Sequence, residues 1–312
     1  MRVTMLTYID WAGSGYKLVE AISRHTENDI AFYSEKGKNT YAIPRGGIDI
    51  LSVPRNKLQH KINESDVIHL KSDWPPSFYE SKYKIKLGLK PIVQTVSGGL
   101  FRKRDPATGI GRGRFKPTQY KDCALRTSFE PDLLYPEYGG ILTPYPIDSM
   151  GKEIEWSRSN PPVLTHNPTS ERSKNTRFIL QVLEKINADI RISPSKKNTP
   201  QSISIEERKA STIFFDQFGV GAYGNAACEA MQYGIPVAAW ISEESLKQAP
   251  DWYRETCPVI TTDRNINQWV SLISQWLEGG LEELSKETKR WCDNIHSYQA
   301  VAKQWDELYN GL

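Results

Sequence analysis

FFDQFGVGAYGNAACEAMQYGIPVAAW, residues 214–240, carries the most specific local pattern in the chain. Phe214, Phe215, Phe218 and Val220 make a strand-compatible apolar run, and Gly219, Gly221 and Gly224 space a turn after it. Residues 225–233 then read as a short helix, which Gly234 closes and Pro236 forbids from continuing. Residues 235–240 read as a second buried strand. Strand, glycine turn, helix and strand form a βαβ unit with a helix start suited to an anion. Glu229 falls one turn inside that helix, near enough to its amino end to reach a ligand docked there. Glycines that only turn the chain, with a glutamate capping a surface helix, are the other reading of the same residues.

Upstream, 163–165 opens a strand that leads into THNPTSERSKNT and a helix over 177–186, with Ile179, Val182, Leu183 and Ile186 on one face. Arg172 and Lys174 therefore lie in a strand-to-helix loop. Two fixed cations beside a positive helix end suit a diphosphate; plain surface charges are the alternative. A strand at 190–192 and a helix over 203–210 follow. Beyond residue 240 come a strand at 259–261, an amphipathic helix over 265–277 and a long helix over 281–308.

The first half alternates strands with helices in the way a parallel, doubly wound sheet does. Residues 3–9 read as a strand that runs into Asp10-Trp11-Ala12-Gly13-Ser14-Gly15 and then a helix over 16–24. A glycine loop between strand and helix lets backbone approach a phosphate, although tight turns use glycine for geometry alone. Asp10 is either a helix-entry cap or a carboxylate facing a ligand. Further strands are expected at 31–33, 48–53, 67–70, 91–96, 123–129 and 140–143, with 71–76 a loop and Ser97 in the loop after the fifth. In such sheets ligands bind at the carboxyl ends of the strands. Residues 101–121 break the pattern with Arg102, Lys103, Arg104, Arg112, Arg114, Lys116 and Lys121 against Asp105. This basic segment is either a solvated loop or a clamp on a polyanion, such as the backbone of nucleic acid (duplex DNA) or a phosphorylated acceptor. The expected organisation is a domain over 1–148 that contains the basic loop, a linker over 149–162, a domain over 163–290, and a C-terminal helix over 291–312 that crosses back.

Composition bounds the function. The 312 residues, 38% hydrophobic with nine Trp and fifteen Tyr, suffice for two cores. No apolar run approaches the ~20 residues of a membrane-spanning helix, and the first strand starts without a cleavable apolar leader, so a cytosolic protein is expected. Four scattered cysteines and five scattered histidines show no metal-ligand spacing. A net charge of +3 says little about partners.

The run Tyr223-Gly224, Glu229-Ala230-Met231, Gly234, Pro236, Val237 resembles the nucleotide-binding domain of GT-B glycosyltransferases, specifically the retaining family 4-like group. The resemblance implies two Rossmann-like domains facing a cleft, a nucleotide-sugar donor (a UDP-sugar first), and transfer of a hexose or pentose to an acceptor hydroxyl without a metal. It implies that Glu229 accepts hydrogen bonds from the ribose hydroxyls. Arg172, Lys174 and the amides of Gly224 and Asn225 would hold the diphosphate. Gly13, Ser14 and Gly15 would face the same diphosphate from the first domain, with His166 and Tyr223 also lining the donor site. Two positions depart from the pattern. Gly221 stands where the family's first Glu belongs, leaving Asp216 or Gln217 as the nearest polar candidates, and Ser97 stands where a His is common. Asp10, Ser97 and Asp216 are the candidate catalytic groups. Phage enzymes of this fold class glycosylate hydroxylated bases in DNA. Arg102, Lys103, Arg104, Arg112, Arg114 and Lys116 are accordingly the candidate acceptor contacts. A glycan or lipid-linked sugar is the competing acceptor, and a non-catalytic nucleotide-sugar-binding protein is the other class.

Overall fold

Two parallel sheets carry the chain, each with its own core. The computed structural model describes residues 1–10, 13–35, 46–98, 117–135, 139–149, 161–186, 188–192 and 201–312. The six expected acceptor contacts from Arg102 to Lys116 lie outside the described residues. Among the described residues, those up to Asp148 together with Tyr298–Leu312 form one compact unit, and Ser149–Ser297 form the other.

The first unit is built on seven strands: β1 (Arg2–Thr7), β2 (Asp29–Ser34), β3 (Ile48–Asp49), β4 (Val67–Lys71), β5 (Ile92–Val96), β6 (Leu125–Ser128) and β7 (Ile141–Leu142). They lie in the order β3-β2-β1-β4-β5-β6-β7, and every pairing is parallel. The central strands β4 and β5 are buried along their whole length, polar residues included, as strands covered on both faces of a parallel sheet are. Helices α1 (Ser14–His25), α2 (Arg55–Glu64) and α3 (Pro76–Tyr83) connect the early strands. Where a strand over 48–53 was expected, the chain makes two residues of β3 and then a 3-10 turn at Ile50–Ser52. The expected loop at 71–76 is only the approach to α3: Pro75 and Pro76 occupy the start of a helix, where a missing N–H costs nothing.

The second unit holds β8 (Val163–His166), β9 (Asp189–Ile192), β10 (Ile213–Phe215) and β11 (Val237–Ala238), ordered β11-β10-β8-β9 and again all parallel. Around them run α4 (Glu171–Lys174), α5 (Thr176–Leu183), α6 (Gln201–Lys209), α7 (Asn225–Met231), α8 (Glu243–Gln248), α9 (Asp251–Arg254), α10 (Ile266–Glu278) and α11 (Leu281–His296). Phe215, Phe218, Trp269, Ile179 and Leu183 meet in the core of this unit.

The long helix expected over 281–308 is two helices. Ser297 is non-helical (φ −58°, ψ 149°) and separates α11 from α12 (Tyr298–Asn310). α12 belongs to the first unit, where Tyr298 and Ala302 pack against Ala21 of α1.

Candidate functional site

In an open parallel sheet the ligand crevice lies where the strand order reverses, outside the carboxyl ends of the two strands concerned. The reversal in the first sheet falls between β1 and β4, and in the second between β10 and β8. At both points the structure places an Asp–Lys pair whose carboxylate is buried against a glycine-loop amide.

At the first, Asp10 follows β1 and Lys71 closes β4; Lys71 Nζ lies 3.0 Å from Asp10 Oδ1, and both side chains are buried. Asp10 also accepts the amides of Gly15 (3.0 Å) and Tyr16 (2.9 Å) at the start of α1. A Cβ on residue 15 would stand 3.3 Å from the carboxylate atoms, so glycine is what lets the amide come this close. Burial pushes the Asp10 carboxyl up, but the Lys71 charge and the two amides outweigh it and hold the group below its ordinary value. Asp10 is thus ionised and caps the start of α1 with both carboxylate oxygens engaged, the capping alternative of its two expected readings. The Gly15 amide likewise faces Asp10 and not a diphosphate. Gly13 is the left-handed residue (φ 66°) that turns the chain into α1, and Ser14 is buried as its first residue. Ser97, after β5, donates its amide to Asp73 Oδ1 at 2.8 Å.

At the second, Lys174 of α4 pairs with Asp216, which follows β10, and Asp216 Oδ2 accepts the Gly224 amide at 2.6 Å. Asp216 is buried with both oxygens engaged. It supports the glycine turn instead of reaching toward a sugar, and the Gly224 amide is turned to it rather than to a diphosphate. Arg172 is exposed on the same one-turn helix. Two other expected donor contacts are wall residues. The His166 ring is buried between the Phe215 carbonyl (2.8 Å) and Thr176 Oγ1 (2.9 Å), and burial holds its pKa down to about 4. Tyr223 is buried, stacked on Tyr253 with ring centroids 5.1 Å apart and hydrogen-bonded to His296 at 3.1 Å.

Glu229, on α7, is buried too. Its Oε2 pairs with Arg208 Nη1 of α6 at 2.7 Å, and its Oε1 accepts from Asn225 Nδ2 at 3.0 Å and from Gln201. Arg208 and Lys71 are the residues that the sequence reading passed over. A lysine ending the apolar run VIHL carries a signal, because a buried lysine needs a partner. Arg208 carried none, because it stands in the polar run EERK although the fold buries it. Among the described residues no three His, Cys, Asp or Glu side chains come together as metal ligands would.

No protein-family model and no curated protein sequence matches the chain. Solved structures do match it end to end. A sucrose-phosphate synthase from Thermosynechococcus elongatus superposes with a TM-score of 0.67 at 13% identity, covering 100% of this chain and 99% of that one. Anabaena HepE, in complex with UDP and glucose, gives 0.62 at 11% over 100% of both chains. A glycosyltransferase from Rickettsia africae gives 0.64 at 11%, over 99% and 98%. The chain has the GT-B glycosyltransferase fold.

Proposed function

We propose that the protein is a glycosyltransferase that takes a UDP-sugar as donor, binding it at the carboxyl edge of the second sheet. The observation that carries this reading is the placement of Glu229, Asn225, Lys174 and Arg172 around the β8–β10 switch point. The end-to-end likeness to HepE, whose structure holds UDP and glucose, adds to it. Glu229 offers a carboxylate to ribose hydroxyls. Arg172 and Lys174 supply positive charge for the leaving diphosphate, Lys174 through its shared pair with Asp216. In a retaining reaction the acceptor hydroxyl attacks on the face from which the nucleotide departs.

For the acceptor we propose a 5-hydroxymethylpyrimidine in DNA, on the strength of the basic run between Arg102 and Lys116. A second reading, a nucleotide-sugar-binding protein without turnover, is favoured by Gly221, whose backbone geometry leaves no room for the family's first Glu. One experiment separates them. The protein is incubated with a panel of nucleotide-sugars and either hydroxymethylated duplex DNA or small glycans, and the products are weighed by mass spectrometry. A hexose or pentose added to DNA supports the full proposal, and addition to a glycan replaces its acceptor. UDP binding with no product in any arm establishes the second reading, and absence of nucleotide binding overturns both.

A further inference from the structure

Two of the side chains that hold the Glu229 carboxylate carry a buried polar atom without a hydrogen-bond partner, Arg208 Nε and Asn225 Oδ1; Asn167 Oδ1, just after β8, is a third such atom. The residues that bear them are linked. Asn167 Nδ2 donates to Glu207 at 2.7 Å, the adjacent Arg208 pairs with Glu229, and Glu229 holds Asn225. Folded proteins pair nearly all their buried polar atoms, because an orphan has given up its water and gained no bond in return. Two orphans on the side chains that hold one carboxylate point to a missing polar partner there. The Asn225 orphan is the most telling, because chemistry fixes its orientation. Turning the amide over would set Oδ1 against the Glu229 carboxylate, so Nδ2 must face the carboxylate and the acceptor oxygen is left over.

We propose that Asn225 is a specificity-determining residue of the donor site, and that its Oδ1 accepts one hydroxyl of a nucleotide's ribose while Glu229 Oε1 accepts the neighbouring one. The proposal rests on the donor-site reading above. Arg208 occupies Glu229 Oε2, so Oε1 is the oxygen presented to the ligand. The Gln201 amide now on Oε1 is a donor of the same kind as a ribose hydroxyl and gives way to it. The pair of acceptors reads a vicinal diol, and a nucleotide lacking either hydroxyl leaves one acceptor orphaned in the complex.

The test is calorimetric titration of the full chain with UDP, 2′-deoxy-UDP and 3′-deoxy-UDP, in the wild type and in Asn225→Ala. The wild type is expected to bind UDP about 10-fold tighter than either deoxynucleotide. Asn225→Ala should lose about that factor for UDP and bind one of the deoxynucleotides as tightly as UDP. The wild type carries half of the test without any variant: equal affinity for all three ligands overturns the proposal. UDP binding with full discrimination retained in a folded Asn225→Ala protein overturns it as well, while leaving the donor-site reading intact. No UDP binding by the wild type removes that reading and this inference with it.

Discussion

Gly221 shows how one residue can explain a departure from a family pattern. Its φ is +77°, and a Cβ there would lie 2.6 Å from Ser242 Oγ and 2.8 Å from Ser242 Cβ. Ser242 is fixed in turn, donating its amide to the Gly221 carbonyl and capping α8 through the Ser245 amide. Glutamate is therefore excluded by backbone conformation and by a neighbour that has nowhere to go. Gly221→Glu should cost about 1–3 kcal/mol of stability rather than supply a sugar contact; an unfolding midpoint equal to that of the wild type would sink this account. The departure itself was legible in the sequence, as was the place of Glu229. What surrounds Glu229 was not. Arg208 lies 21 residues away on another helix, and Lys71 reaches Asp10 across 61 residues. Ion pairs at such separations follow from sheet topology, which residue spacing alone does not give.

At the scale of elements, strand positions were legible because they are short runs rich in Val, Ile, Leu and Thr bounded by turn residues. Helices α2 and α3 escaped because the first buries only Leu58 and Ile62, and the second only Tyr79; neither leaves an apolar stripe to count. The break at Ser297 escaped for the opposite reason, since the apolar spacing runs on through it. α12 buries Tyr298, Val301, Ala302, Trp305 and Tyr309. The His69 ring of β4 stacks on Trp305 with centroids 4.7 Å apart and meets the Tyr309 hydroxyl at 2.7 Å. The last helix thus completes the core begun by the first strands. Trp305→Ala should cost about 3–5 kcal/mol, and the loss should appear as faster hydrogen exchange in β1 and β4. Faster exchange confined to β8 and β10 would show that the helix serves the other unit.

Across the whole molecule, each unit buries one histidine in its sheet, and both add to the loss of stability on acidification. His69 is fully buried, and burial followed by the charge of Lys71 lowers its pKa to about 3. Burial likewise brings His166 to about 4; its bond to the Phe215 carbonyl offsets part of that effect, and Lys174 adds to it. Both are neutral in the folded chain at pH 5, whereas an unfolded chain protonates them below about 6.5. The folded values are the depressed ones, so the stabilisation is complete above about pH 6.5. It drains away as the pH falls, until about 4 for His166 and about 3 for His69. While only the unfolded state takes up the proton, each histidine contributes a slope of about 1.4 kcal/mol per pH unit. Urea unfolding at intervals from pH 7.5 to 5 should show stability falling with the pH, in a window where carboxylates contribute little. His69→Gln removes the titrating group from the first unit and should flatten that unit's share of the slope, even though its lost bonds to Tyr309 and Thr95 lower stability at every pH. A slope as steep in His69→Gln as in the wild type would mean that His69 is protonated in the folded protein, and that its hydrogen bonds hold an imidazolium rather than a neutral ring.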